Sequence, residues 1–269
     1  MALLQTTDIA VRFGGITALA GVDISAEAGE VTGCIGPNGA GKTTLFNVIS
    51  GLQAPTRGRV ELDGRDVTRR SVHQRGRRGL ARTFQRLEVF GSLSVRDNVR
   101  VAVEIRRRWS RRRLDVDAIT RQLLLQVGIA EVADRSAETL PTGLARLTEL
   151  ARALAADPRL LLLDEPGSGL DSGESERFGT LLGRLAGDEG LGILMVEHDM
   201  DLVMSVCARI HVLDFGVKIA EGTPSEIQSD ARVQAAYLGA DEPEVDDSEL
   251  DDSDADGAAG QFPAAEVAR

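Results

Sequence analysis

The sequence predicts an α/β fold with an antiparallel β region near its start and a helical region near its middle. Three patterns support this. Residues 31–35 form a short apolar run before a glycine-rich loop, and residues 159–164 form a continuous apolar run that ends in carboxylates. Such runs are typical of strands buried in a parallel sheet. Residues from about 95 to 155 instead repeat apolar side chains at helical spacing.

The first strands are predicted between Leu4 and Ser25, where apolar and polar residues alternate around turns at Gly14-Gly15 and at Gly21. Another short strand near Val60 ends in a turn at Asp63-Gly64. These strands form the predicted antiparallel β region.

Later elements follow the same logic. Ser94 opens the helical region in the manner of an N-cap. A second apolar strand, residues 191–196, ends at the polar run of residues 197–199, and a hairpin is predicted over residues 210–222. Helical residues then continue to Gly239, where the folded part is expected to end.

The loop GPNGAGKTT matches the template G-x-x-x-x-G-K-[ST] and stands between a predicted strand and a predicted helix. In such a loop, backbone N–H groups and the helix N-terminus bind phosphates, the lysine reaches the β- and γ-phosphates, and the hydroxyl binds Mg²⁺. The sequence therefore predicts a nucleoside triphosphate site. Its residues are Gly36, Pro37, Asn38, Gly39, Ala40, Gly41, Lys42, Thr43 and Thr44.

Polar residues at the strand ends narrow the chemistry. Asp164 is expected to hold Mg²⁺, and Glu165 to accept a proton from an attacking water. His198 ends the neighbouring strand and is expected to hold that water in line with the γ-phosphate. Gln85 carries an amide oxygen for a metal-bound water, although this signal is weak by itself.

Composition excludes several classes of protein. No window approaches the roughly 20 apolar residues of a membrane span, and the N-terminus lacks the pattern of a signal peptide. Cys34 and Cys207 have no metal or disulfide spacing, so a reducing compartment is expected.

Residues 240–269 hold eleven acidic residues and one arginine, and therefore nearly all of the net charge of −11. This segment is predicted to be a disordered tail, either solubilising or regulatory.

Together these spacings resemble the ATP-binding subunits of ABC transporters across residues 1–239. GPNGAGKTT resembles the Walker A loop, LLLLDEP the Walker B strand, Gln85 the Q-loop, residues 168–171 the D-loop and His198 the switch histidine. The resemblance implies a P-loop ATPase core with an antiparallel β subdomain and a helical subdomain of about residues 92–156. It also implies that Asp171 belongs to the nucleotide site and that Phe13 stacks on adenine, with strand packing as the alternative for Phe13.

Several runs, among them RFGGITAL, GLARTFQRLEVF, VEHDM and AAYLG, resemble the branched-chain (hydrophobic) amino acid uptake group. Import of an amino acid is therefore expected, with urea, amides or another small solute as alternatives. The resemblance implies multispanning permease subunits, an extracytoplasmic solute-binding protein acting indirectly, and a peripheral position at the cytoplasmic face of the membrane.

The chain departs from the family at its signature sequence. Residues 140–144 read LPTGL where LSGGQ is usual, so only Gly143 clearly survives. Proline supplies neither hydroxyl nor N–H. In the family each site combines the Walker residues of one subunit with the signature of the other. The hypothesis is a heterodimer with a second ABC ATPase; the alternative is a dimer with itself in which both sites work.

Two alternatives concern other partners. The basic run of residues 106–113 is either a solvated turn or a contact with anionic headgroups or the acidic tail. Nucleic acid is not expected, because residues 1–239 are nearly neutral. A soluble ABC ATPase acting on DNA or ribosomes is the alternative class; the single nucleotide domain and the lack of a long heptad insert argue against it.

Overall fold

The computed structural model describes residues 2–110 and 113–238. The predicted acidic tail, residues 240–269, lies outside the described residues. The strands are β1 (Leu4–Phe13), β2 (Ile16–Val22), β3 (Ser25–Ala26), β4 (Val31–Ile35), β5 (Arg57–Leu62), β6 (Arg65–Asp66), β7 (Leu80–Arg82), β8 (Leu160–Asp164), β9 (Gly192–Val196), β10 (Arg209–Asp214) and β11 (Val217–Gly222). The helices are α1 (Lys42–Ser50), α2 (Val72–Gly76), α3 (Val95–Trp109), α4 (Val116–Gln126), α5 (Thr142–Leu154), α6 (Ser172–Gly187), α7 (Met200–Val206), α8 (Pro224–Ser229) and α9 (Ala231–Leu238).

The strands form two sheets. The larger has the order β11-β10-β4-β9-β8-β7 and is parallel except for the β10–β11 hairpin. The smaller is antiparallel, with the order β2-β1-β5-β6 and β3 paired to β1. Every residue of β4, β8 and β9 is buried, as the continuous apolar runs predict.

Apolar residues pack on both faces of the parallel sheet. One buried cluster joins alternate residues of β4, β8 and β9 to helices α3–α7. The other joins the remaining residues of the same strands to α1 and to the antiparallel sheet. The α/β fold with an antiparallel β region is thus confirmed. Helices α3–α5 fall within the predicted helical subdomain, whose limits as a unit stay a prediction.

One predicted turn is wrong. Gly21 lies inside β2, where Val22 pairs with Ile9 and Ala20 pairs with Ala10, so Gly21 is the extra residue of a β-bulge. The predicted turn at Gly14-Gly15 does join β1 to β2. Within the described ranges, no helix combines the length and apolarity that a bilayer crossing demands.

Candidate functional site

The glycine-rich loop joins the buried strand β4 to α1 and packs tightly on two neighbouring elements. A Cβ added to Gly36 would lie 2.0 Å from the carbonyl oxygen of Leu213 at the end of β10, and one added to Gly41 would lie 2.8 Å from that of Ala18 in β2. Both glycines have positive φ, 150° and 99°. Only glycine fits these positions, so β2 and β10 determine the shape of the loop.

Lys42 is the first residue of α1, and its side chain turns back to the start of the loop. Its Nζ donates to the carbonyl oxygens of Gly36 and Pro37, at 2.6 and 2.9 Å. Burial lowers the pKa of Lys42, while the nearby Cys34 and the carboxylates of Glu165 and Asp164 act in the opposite direction. The ammonium therefore lies in the electrostatic range of both strand-end carboxylates.

Asp164, the last residue of β8, is buried and paired. Its Oδ2 accepts a hydrogen bond of 2.8 Å from Arg82, whose guanidinium also donates to Asn47 Oδ1 and Ser50 Oγ of α1 at 2.8 and 3.0 Å. The guanidinium packs over the ring of Phe84 at 4.9 Å. Arg82 thus connects β8 to α1. The sequence does not predict Arg82 as a site residue, although Arg82 lies in the run GLARTFQRLEVF.

Glu165, Gln85 and His198 come together beside Asp164. Gln85 Nε2 donates to Glu165 Oε2 at 2.8 Å, and His198 Nδ1 lies 3.9 Å from the same oxygen. Glu165 has a φ of 49°, unusual for a residue with a side chain. Its backbone N–H donates to Val196 O at 2.9 Å. Strands β8 and β9 are parallel neighbours, so their C-terminal ends place these side chains at one edge of the sheet.

Helix α5 holds the segment that carries Gln85. Arg146 donates to the carbonyl oxygen of Gln85 at 3.0 Å and pairs with Glu149 at 3.3 Å. Glu149 in turn accepts from the backbone N–H of Glu88 at 3.3 Å. Burial raises the pKa of Glu149, while the Glu88 amide and Arg146 oppose this rise. The helix that begins with the signature residues is thereby coupled to Gln85.

The donor set at this edge fits Mg²⁺. In residues 2–110 and 113–238, no three His, Cys, Asp or Glu side chains gather as a metal site. The ligands predicted from the sequence are instead one carboxylate, that of Asp164, with the hydroxyl of Thr43 in the first turn of α1 and the amide oxygen of Gln85. Mg²⁺ accepts such a set because it keeps several waters and takes phosphate oxygens.

Two residues that are predicted to bind nucleotide, Asp171 and Gly143, lie together and apart from the Lys42 loop. Asp171 caps α6 in a capping box with Glu174, and a Cβ on Gly143 at the start of α5 would lie 2.5 Å from Glu174 Oε1. In the part of the chain that the structure describes, no hydrogen bond joins this group to the Lys42 loop. Phe13 stands apart as well, 51% exposed at the end of β1.

The departure at Leu144 has a structural setting. Leu144 lines a cavity of ≈ 460 Å³ between α4, α5 and α6, together with apolar side chains of the same helices. The apolar members of the lining are Leu125, Val127, Leu144, Leu147, Leu170, Phe178 and Leu181. Pro141 is the N-cap of α5 and provides no side-chain cap. An apolar residue at position 144 therefore suits its surroundings within this chain.

The C-terminal helix α9 also reaches the phosphate loop. Burial raises the pKa of Tyr237 to about 12, against the opposing effect of the Gly36 backbone. The AAYLG run predicts a family group from this segment, but nothing in the sequence predicts its contact with Gly36.

Family models match two parts of the chain. The model described as ABC transporter matches residues 19–168, which include the phosphate loop and Asp164. The model described as branched-chain amino acid ATP-binding cassette transporter matches residues 217–243.

Individual proteins match over most of their length. The chain is 36% identical to the high-affinity branched-chain amino acid transport ATP-binding protein BraF of Pseudomonas aeruginosa, over 88% of this chain and 98% of BraF. It is 35% identical to the lipopolysaccharide export system ATP-binding protein LptB of Escherichia coli, over 90% of this chain and 99% of LptB.

A solved structure has the same fold. The ADP conformation of MJ1267, an ATP-binding cassette of an ABC transporter, superposes with a TM-score of 0.80 at 30% identity, over 89% of this chain and 99% of that chain. The loop, the paired strand ends and these matches agree. The chain belongs to the ATP-binding subunits of ABC transporters, the enzymes that hydrolyse ATP to drive transport.

Proposed function

We propose that this chain binds Mg²⁺-ATP and that its hydrolysis powers the import of branched-chain or other amino acids. The observation that carries the proposal is the convergence of Gln85, Glu165 and His198 beside the loop that holds Lys42. In-line attack of water on a phosphate needs a base that accepts the proton and polar groups that orient the water. Glu165 provides the carboxylate, Gln85 the amide and His198 the imidazole.

The proposed roles follow from position. The loop amides from Gly36 to Thr44 and the ammonium of Lys42 bind the phosphates. Glu165 accepts the proton of the attacking water, and His198 orients that water and the γ-phosphate. Gln85 keeps the Glu165 carboxylate turned towards the water, as its 2.8 Å hydrogen bond supports. Phe13 stacks on the adenine.

The metal has a limited part in this scheme. When bound, Mg²⁺ neutralises phosphate charge. Thr43, Gln85 and Asp164 would hold it, directly or through water. Arg82 donates to Oδ2 of Asp164, so Oδ1 would be the oxygen available to the cation.

The amino acid substrate is supported by similarity. BraF is named as a branched-chain amino acid transport protein, and the match at residues 217–243 is to a family model with the same description. LptB, named for lipopolysaccharide export, matches at nearly the same identity. The segment around residues 217–243 favours the amino acid over the lipopolysaccharide.

The proposed assembly contains multispanning permease subunits and a second ABC ATPase, at the cytoplasmic face of the membrane. Gly143 and Asp171, which lie away from the Lys42 loop, would serve the site of the facing subunit. Because Pro141 and Leu144 replace polar signature residues, we propose a heterodimeric partner whose own signature is intact. An extracytoplasmic solute-binding protein would act only through the permease.

Glu165→Gln tests the catalytic assignment. The full-length variant is expected to bind Mg²⁺-ATP with unchanged affinity in isothermal calorimetry and to lose turnover by about 10²–10⁴-fold, because the amide cannot take a proton. Glu131→Gln, at an exposed glutamate, is the matched control. Undiminished hydrolysis in Glu165→Gln would remove Glu165 from the role of base.

Uptake tests the substrate separately. Cells that lack this chain are expected to lose uptake of radiolabelled leucine, isoleucine and valine, and Lys42→Ala is expected not to restore it. Normal uptake of all three amino acids in the deletion strain would overturn the substrate and leave the ATPase assignment standing.

A further inference from the structure

Glu197 is a buried carboxylate to which the proposed mechanism gives no role. It directly follows β9, and its side chain is 0% exposed. Its Oε1 accepts from the backbone N–H of Gly167 at 2.5 Å. Its Oε2 accepts from the backbone N–H groups of His198 and Asp199, at 3.0 and 3.3 Å.

This arrangement joins two loops. Gly167 belongs to the loop after β8, whereas His198 and Asp199 belong to the loop after β9. A buried carboxylate is unfavourable unless hydrogen bonds compensate its charge. Backbone N–H groups provide that compensation here, and among the described residues the one ion-pair partner within 4 Å is His198, at 3.8 Å. The geometry of Glu197 therefore depends on both loops staying in place.

Glu165 lies between these anchors. Its N–H donates to Val196 O, directly before Glu197, and its carbonyl oxygen accepts from Ser168 N at 3.1 Å, directly after Gly167. Its φ of 49° lies in a region that residues with a side chain seldom occupy, so surrounding contacts must hold it there. Glu197 supplies such a contact on the far side of the loop.

We propose that Glu197 is a positioning residue that sets the distance between Glu165 and His198 by holding both of their loops. The inference rests on the proposed roles of those two residues. It gives Glu197 no contact with ATP. Misplacing a reacting group by about 1 Å can lower a rate about 10²-fold, so loss of this hydrogen bonding should affect turnover more than binding.

Glu197→Gln tests the proposal with little change of shape. The amide has one oxygen acceptor and an NH₂ group, so either Gly167 or the His198–Asp199 pair must lose its acceptor. In the full-length chain, kcat is expected to fall about tenfold or more, while KM for ATP and the affinity for Mg²⁺-ATP stay within about twofold. Asp201→Asn is the matched control, because it makes the same change from carboxylate to amide at an exposed residue in the first turn of α7.

A double mutant separates positioning from general stability. If Glu197 acts by placing Glu165 against His198, then adding Glu197→Gln to Glu165→Gln lowers the residual turnover by a smaller factor than Glu197→Gln lowers wild-type turnover. A fully additive loss, or a kcat for Glu197→Gln equal to that of the Asp201→Asn control, would overturn the proposal. Normal turnover by Glu165→Gln would instead contradict the proposed catalytic role itself, so the two failures are distinguishable.

Gly167→Ala approaches the same contact from the other loop. Its Cβ would lie 2.9 Å from Glu197 Oε1, which forces the carboxylate and the loop apart. The same selective loss of kcat is expected, with ATP affinity retained. Should Glu197→Gln fail to fold, this variant decides: wild-type kcat in folded Gly167→Ala overturns the proposal.

Discussion

Arg82 donates a hydrogen bond of 2.8 Å to Asp164, and the two side chains are only 7% and 6% exposed. The pair joins α1 to the end of β8, because the same guanidinium donates to Asn47 and Ser50 of α1. Removing either partner of such a buried pair would leave the other as an uncompensated charge, so each side chain holds the other in place.

Arg82→Met should therefore leave Asp164 buried without its partner. The free energy of unfolding is expected to fall by about 3–5 kcal/mol. Urea denaturation of the full-length chain measures it. The control is Arg96→Met, which breaks an exposed pair with Asp134 at 3.0 Å and should cost far less, because water screens the pair. Equal losses in the two variants would contradict the prediction.

Arg75 should be a second determinant of stability. Its buried guanidinium donates to the carbonyl oxygens of Val48 and Ile49, both at 2.6 Å, and to two carbonyl oxygens before α2. Burial lowers the pKa of Arg75 to about 10. Arg75→Met would remove the donor to Ile49 O and one of the two donors to Val48 O, which also accepts from the Gly51 N–H, so we expect a loss of about 3 kcal/mol in urea denaturation.

Arg77→Met is the control for Arg75, since Arg77 is exposed at the end of the same short helix. It should change the free energy of unfolding by about 0.5 kcal/mol at most. A similar small effect of Arg75→Met would show that water replaces its hydrogen bonds.

His211 should make stability depend on pH. Burial lowers the pKa of His211, against the opposing effects of Ser25 and Glu221. The unfolded chain therefore takes up the proton first, and this contribution to stability is present above about pH 6.5 and is lost as the pH falls towards the lower folded pKa. His211→Gln should flatten the change in unfolding free energy between pH 7 and pH 5. His73→Gln, at an exposed position, should leave it as in the wild type.

Leu144 should resist replacement by the polar residue usual in the family. Because Leu144 packs against the buried apolar cluster beside the cavity between α4, α5 and α6, Leu144→Gln should lower the free energy of unfolding by about 1–3 kcal/mol. Calorimetry should find the affinity for Mg²⁺-ATP unchanged. Leu125→Gln, at a lining residue that is 64% exposed, should cost less. A stability gain in Leu144→Gln would mean that position 144 is not governed by this cavity.

The sequence predicts well which residues lie at the C-terminal ends of the parallel strands. Strands β4, β8 and β9 are buried on both faces, so their residues form continuous apolar runs, and the polar residues that follow mark where each strand ends. Parallel pairing then brings Asp164, Glu165 and His198 to one edge. The phosphate loop is predictable because its contacts exclude every residue but glycine at Gly36 and Gly41.

The supporting side chains are harder to predict. Arg82 and Arg75 are two arginines in a chain whose lysines are only Lys42 and Lys218, so arginine itself carries little information. Their partners lie on α1, and only the packing of the sheets reveals them. Glu197 carries one faint signal, a carboxylate that directly follows a buried strand. At Gly21 the sequence does carry a signal, but the signal is ambiguous. Glycine is common both in turns and in β-bulges, so a turn is predicted where the structure has a bulge.

The contacts between the phosphate loop and the end of β10 determine when the loop can be fully supported as the chain is synthesised. Gly36 packs against Leu213 O, and the Gly216 N–H donates to Ala40 O at 3.1 Å. A nascent chain emerges from the ribosome N-terminus first. The loop is therefore synthesised early, next to its contacts on β2, but it gains its contacts with β10 only when the β10–β11 hairpin has emerged. The full set of contacts around the phosphate loop is thus available only late in synthesis.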